Sequence, residues 1–180
     1  MRSSSNSGSS NGPIDRSQKE KQGCDHCRGH KTMKLYVVGT GPGSVAHMSN
    51  RAVQVIEEAD CLAGYTTYVE LIKELVEDKK IISTGMMKEV ERVEKAIDMA
   101  LTGSSCALVS GGDPGIYAMA GLVFEICEQK NIKLFRTLED QDLSGTEKFL
   151  ELEVVPGIPA LAAGAALVGA PLTHDFAAIS

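Results

Sequence analysis

The chain has no Trp, and only 4% of its 180 residues are aromatic, beside 18 Gly. A core without large rings has to be assembled from Ala, Val, Ile and Leu, as in α/β enzymes. Basic charge is also short, with 18 Lys and Arg against 24 Asp and Glu, a net charge of −6. That excludes generic binding to nucleic acid or to anionic membranes, which requires a basic face. No run reads as a membrane span. The longest uncharged stretch, Val154 to Thr173, is broken by Pro156, Pro159 and Pro171 and by Gly157, Gly164 and Gly169. It is rich in Ala rather than Leu or Phe and reads as a tightly packed helix flanked by loops. No apolar h-region opens the chain, so a secretory signal is not expected. Five Cys at irregular spacing then indicate free thiols in a reducing compartment, taken as the cytoplasm. His174 and Asp175 are adjacent, but no Ser or Cys nucleophile motif accompanies them, and a hydrolase triad is not indicated.

What is present divides into two compositions. Residues 1–33 are mostly Ser, Gly, Asn and charged residues, with six Lys and Arg against three Asp and Glu. Such a segment buries too little to offset its ordering entropy and is expected to be a disordered tail. Met33 stands where an alternative start would fall. In the tail, Cys24, Cys27 and His30 supply three ligands of a zinc site, with His26 cramped between the cysteines. No second C-x-x-C completes the tetrahedron, so no metal site is expected and a thiol-bearing tail is.

From Lys34 the pattern changes. Apolar runs at Lys34–Val38, Cys61–Ala63, Lys80–Ser83, Cys106–Ser110 and Leu152–Val155 alternate with helical spacing at Asn50–Ala59, Tyr68–Leu75, Met87–Leu101, Ile116–Gln129 and Ile158–Val168. Repeated β-α units predict an α/β fold with a parallel five-stranded sheet and helices on both faces. Asn131–Glu151 is polar, carries five acidic residues and is expected to be a surface insertion. Phe176–Ile179 reads as the beginning of a further strand. Residues 34–172 are thus expected to form one domain, and residues 173–180 a link into another.

Three Gly/Pro turns follow strands. GTGPG (Gly39–Gly43) does not make a dinucleotide fingerprint: Ser44 replaces its third Gly, Pro42 lacks an N–H, and helical spacing resumes only near Asn50. A tight turn needing small residues and a ligand role both fit it. GGDPG (Gly111–Gly115) ends a buried strand, at the edge where open α/β sheets bind ligands. Its glycines admit close approach of backbone to a ligand. Asp113 reads as facing that ligand, as the N-cap of the next helix with Pro114 at its first position, or as both. VVPGIPA (Val154–Ala160) is the third turn. One such turn says little, whereas three at the carboxyl ends of one sheet indicate a small-molecule crevice. GYTTY (Gly64–Tyr68) puts Tyr65 and Tyr68 on the same rim, where rings pack on a flat ligand; half-buried tyrosines with their hydroxyls in water fit equally. Cys61, Cys106 and Cys127 read as small core residues.

In order, GTGPG, GYTTYVELI, GGDPGIY, VVPGIPA and GAPLTHDFAAIS resemble the tetrapyrrole (corrin/porphyrin) methyltransferase family from about Lys34 to Ser180. GYTTYVELI and PLTHDFAAIS are most similar to the branch that methylates ring carbon 17 of a corrin precursor, precorrin-3B or cobalt-factor III, in cobalamin biosynthesis. The resemblance implies the N-terminal domain of such an enzyme, S-adenosylmethionine in a cleft between two α/β domains, a corrinoid substrate and a homodimer. By position, it implies that Gly41, Pro42, Gly111, Gly112, Asp113, Ile116, Tyr117, Pro159 and Ala160 line the cofactor, and that Tyr65 and Tyr68 face the substrate. Tyr65 stands where a related porphyrinogen methyltransferase has a catalytic Asp, which makes it the catalytic candidate while removing the carboxylate. Two departures from the family pattern are Ser44, where Asp is common, and Pro159, where Ser or Thr is. The implied second domain lies beyond Ser180 or on a separate polypeptide. The implied substrate is a polycarboxylate and the chain is acidic, so either Lys73, Lys79, Lys80, Lys88 and Arg92 form a local basic rim or the implied second domain supplies one. Two rival readings are another methyltransferase of the family, of siroheme or diphthamide synthesis, and a nucleotide-binding module that uses GTGPG without chemistry.

Overall fold

A computed structural model describes residues 33–135 and 148–179. Among them, strands β1 (Lys34–Gly39), β2 (Cys61–Tyr65), β3 (Lys80–Thr84), β4 (Ser105–Ser110), β5 (Ile132–Phe135) and β6 (Lys148–Val155) form one sheet. Its order is β3-β2-β4-β1-β6-β5 and every pairing is parallel. Helices α1 (Asn50–Glu58), α2 (Thr66–Leu71), α3 (Glu89–Leu101), α4 (Met119–Gln129) and α5 (Ala160–Leu167) connect or follow the strands.

The central strand β1 shows why both faces must be covered. Leu35 and Val37 point into one core with Val93 and Ile97 of α3 and Val123 and Ile126 of α4. Tyr36 and Val38 point into the other, with Ala52, Val55 and Ile56 of α1 and Val69 of α2. A strand apolar at successive positions has no face to give to water, the signature of a parallel sheet between helices. The loop after β1 therefore turns to one face and the loop after β4 to the opposite face. The carboxyl edge at these neighbouring strands is therefore the switch point at which open α/β sheets bind ligands.

The sheet has one strand more than expected. Asn131–Glu151 is not simply an insertion: Ile132–Phe135 is the edge strand β5, paired with β6 from Lys148, while residues 136–147 lie outside the described segments. Only four residues long and half-exposed at the edge, β5 lacks the continuous apolar run of a central strand. Met33 belongs to the folded part: its carbonyl accepts the Glu151 N–H at 2.9 Å and its side chain packs on the core. The remaining tail, with Cys24, His26, Cys27 and His30, lies outside the described residues. Phe176–Ile179 forms no strand.

At the amino end of the strands, Asp60 joins β2 to β4. Its carboxylate accepts the Ser105 N–H at 2.7 Å and the Ser105 hydroxyl at 2.8 Å. Those hydrogen bonds, the backbone one foremost, hold the Asp60 carboxyl below its ordinary value. A depressed folded-state pKa contributes stability that is present above the unfolded value of about 4 and disappears as pH falls through the folded value. The urea midpoint of Asp60→Asn should lie below wild type at neutral pH and converge with it in acid. Parallel midpoints at every pH would refute the linkage.

Candidate active site

The site is built by three turns that meet where side chains are missing. A Cβ on Gly39, at the end of β1, would lie 2.6 Å from the Gly112 oxygen, 2.7 Å from the Gly157 nitrogen and 2.8 Å from Cδ of Pro114. A Cβ on Gly157 would collide with the same Gly112 oxygen. Gly39 and Gly157 thus permit backbone-on-backbone contact with Gly112, joining the turns after β1, β4 and β6. Gly41 and Gly112 then exchange hydrogen bonds, Gly41 N–H to the Gly112 oxygen at 3.1 Å and Gly112 N–H to the Gly41 oxygen at 2.9 Å. Both glycines have positive φ, 67° and 66°. Buried Thr40 adds two bonds to the Ser110 carbonyl, from its N–H at 2.9 Å and its hydroxyl at 3.1 Å.

Asp113 fastens the third turn to the second. Its Oδ1 accepts the Gly115 N–H at 2.8 Å and its Oδ2 accepts the Gly157 N–H at 3.1 Å. It does not N-cap the next helix. With the carboxylate committed to this turn, α4 opens only at Met119, after Ala118, and not near Ile116 as the spacing predicts. Tyr117 lies between, at φ 50°, a left-handed conformation uncommon for a residue with a Cβ, and its hydroxyl donates to the Ala178 carbonyl at 2.8 Å.

A crevice of about 650 Å³ follows from this arrangement. The structure gathers Gly41, Pro42, Gly111, Gly112, Asp113, Ile116, Tyr117, Pro159 and Ala160 around it, together with Tyr68. Thr40, Gly43, Leu71, Leu161 and Ala177–Ile179 line it as well and were not singled out by sequence. Thr40, Gly43 and Leu161 lie within or beside the signalled turns, whereas Leu71 and Ala177–Ile179 come from segments that only the fold brings near. GTGPG does not run directly into a helix, as a dinucleotide fingerprint would: α1 opens at Asn50 after a short 3₁₀ turn at Val45–His47.

Tyr65 takes a different place. It lines a neighbouring pocket of about 320 Å³ with Met86, Glu89, Arg92 and Met119, and Tyr68 stands between that pocket and the crevice. The two rings meet edge to face with centroids 5.4 Å apart. Tyr68 lies against Gly111, where a Cβ would fall 2.7 Å from Cζ of the phenol. The expected basic rim does not form. Lys79 donates to the Glu57 and Ala59 carbonyls at 2.7 and 2.8 Å, and Lys80 starts β3, both at the amino edge of the sheet. Lys88 pairs with Glu91 at 3.4 Å, and Lys73 is carried on the turn after α2. Of the five cations, Arg92 lines the tyrosine pocket. Among the described residues the cysteines offer no exposed nucleophile: Cys61, Cys106 and Cys127 are buried in the core, and burial pushes the Cys127 thiol up to about 11.

The sequence profile of the Tetrapyrrole (Corrin/Porphyrin) Methylases matches residues 34–180. The chain belongs to this family. It is 46% identical over 147 residues to the cobalt-factor III methyltransferase of Priestia megaterium, covering 82% of this chain and 25% of that protein. It is 41% identical over 146 residues to the probable cobalt-factor III C(17)-methyltransferase of Salmonella typhimurium, covering 81% of this chain and 54% of that one. Among solved structures, the methyltransferase CobJ aligns with a TM-score of 0.63 and 34% identity, over 81% of this chain and 54% of its own. The chain thus spans a quarter to about half the length of these relatives.

The glycine contact gives a paired test. Gly39→Ala forces backbone apart and should lower stability by about 1–3 kcal/mol. Gly164→Ala, inside α5 with nothing within 4 Å of the added carbon, should raise it by about 0.5–1 kcal/mol. Denaturant titration decides, and a harmless Gly39→Ala would show that the turns do not depend on that contact.

Proposed function

We propose that this chain forms the methyl-donor half of an S-adenosylmethionine-dependent C-methyltransferase, acting on ring carbon 17 of a corrin precursor, cobalt-factor III or precorrin-3B. The observation that carries this reading is the convergence of the three turns on one crevice at the carboxyl edge of the sheet. Kinship with cobalt-factor III and precorrin-3B methyltransferases supports the substrate class. The donor fits the residues present. Its size suits a crevice of about 650 Å³, within the range of small-molecule sites. A Cβ on Gly112 would project between that turn and the Pro159–Ala160 backbone, about 3.7 Å from each, so its absence leaves a cradle of main-chain atoms. The unpaired cysteines suit a cytoplasmic setting, and the complete enzyme is read as a homodimer.

When bound, S-adenosylmethionine supplies an electrophilic methyl group for in-line displacement by a carbon nucleophile. The chain's share is alignment and exclusion of water. Gly41, Pro42, Gly111, Gly112, Asp113, Ile116, Tyr117, Pro159 and Ala160 would hold the donor. Asp113 acts through its two backbone partners, fixing the distance between the second and third turns. Tyr68, at the partition, separates donor from acceptor. Tyr65 would face the substrate, its hydroxyl available to hydrogen-bond a group on the macrocycle.

Ala160 provides the test, because it is exposed at the start of α5, where a larger side chain meets no core. Gly112 is less suitable, since any side chain is strained at its positive φ. Ala160→Phe should keep the thermal transition of the wild-type chain while weakening S-adenosylhomocysteine at least about tenfold in calorimetry, a change of about 1.4 kcal/mol. Unaltered binding would remove the donor from this crevice. Binding of NAD or ATP in place of S-adenosylhomocysteine would favour a nucleotide-binding module.

A further inference from the structure

Arg92 sits one turn into α3 and is 4% exposed. Its Nε–H donates to the Thr84 hydroxyl at 2.7 Å, and one Nη2–H donates to the Gly85 carbonyl at 3.0 Å. A third donor meets only the thioether sulfur of Met119 at 3.9 Å. A guanidinium carries five N–H groups, so two remain beyond these partners. Among the described residues, no carboxylate lies within ion-pair distance. Glu89, half-buried, lines the same pocket without pairing with Arg92. A buried charge without a counter-charge is costly, and a cation near a helix N-terminus also opposes the helix dipole. Thr84, Gly85 and Met119 fix the fork but do not neutralise it.

The surroundings say what would. The pocket that Arg92 lines is walled by Tyr65, Tyr68 and Met86, and its volume of about 320 Å³ is too small for a macrocycle. The Arg92 guanidinium lies 5.8 Å from the centroid of the Tyr65 ring. Met86, 72% exposed, is an apolar wall at the pocket. A charged fork at the bottom of a short, aromatic-sided pocket matches a carboxylate on one or two methylenes.

We infer that Arg92 is a carboxylate-binding residue, and that the tyrosine pocket takes one acetate or propionate arm of the tetrapyrrole substrate. This rests on the corrin-methyltransferase reading above and assigns a subsite to it. The fork, held by Thr84 and Gly85, then sets the orientation of the macrocycle beside the donor crevice, with Tyr68 as the common wall. The aminoacyl carboxylate of the donor shares this chemistry, and the experiment separates the two.

The 180-residue chain is titrated with cobyrinic acid, whose acetate and propionate arms are free, with the methyl ester of cobyrinic acid, and with S-adenosylhomocysteine. Arg92→Met should weaken cobyrinic acid about tenfold or more and leave the ester and S-adenosylhomocysteine unchanged; Arg92→Lys, which keeps the charge without the fork, should fall between. If Arg92→Met does not fold, Arg92→Lys is read alone, with a loss confined to the free acid as the supporting result. Equal affinity of wild type and variant for the acid, or equal losses for acid and ester, would overturn the assignment. A loss confined to S-adenosylhomocysteine would overturn it in favour of the donor's carboxylate. Wild-type chain that binds S-adenosylhomocysteine but no corrinoid would refute the substrate class itself, and this subsite with it.

Discussion

The backbones after β1, β4 and β6 come together where Gly39 and Gly157 meet the Gly112 carbonyl, and neither of those two has room for a side chain. The rest of the site depends on that contact. Because the strands are parallel neighbours, their carboxyl ends already lie side by side; without Cβ atoms they also close on one another. The Gly41–Gly112 hydrogen bonds and the two-oxygen grip of Asp113 then hold the turns in one arrangement. The missing Cβ of Gly111 lets Tyr68 lie flat against the same turn, so the crevice and the tyrosine pocket share a wall. One shift at the glycine contact would therefore move both.

Much of this was legible in the amino-acid sequence because apolar strands and Gly/Pro turns are local signals. Leu35 to Val38 and Cys106 to Val109 announce doubly covered strands by being apolar throughout. The turns GTGPG, GGDPG and VVPGIPA mark the crevice by their position after such strands. What was not legible depends on partners distant in sequence. Strand β5 is short, half-exposed and earns its hydrogen bonds only from β6. Before the late start of α4 at Met119, Asp113 is engaged by the Gly157 N–H, across 44 residues of sequence. Near its start, Tyr117 interrupts the helical pattern with a left-handed φ that no periodicity reveals. Lys79 and Lys80 are lost to the rim for a topological reason: a residue at the beginning of a parallel strand is at the far end of the sheet from every ligand-facing turn.

Net charge was a poor guide to the site for a related reason. The acidic excess is a property of the whole chain, whereas recognition depends on which charges are already satisfied. Lys34 is engaged by Glu151 at 2.6 Å, and Arg51 by both oxygens of Glu153 at 2.7 Å. Lys88 and Lys95 are shared with Glu91, and Lys130 with Glu94 and Asp98. These pairs sit on the surface or beside the strands, where they influence solubility and packing and add little to stability. Arg92 stands apart because it is buried while its hydrogen bonds go to neutral oxygens and a sulfur. An acidic protein therefore has no difficulty in receiving an anion, provided that one cation is kept dry, oriented and unneutralised near the edge where the fold opens.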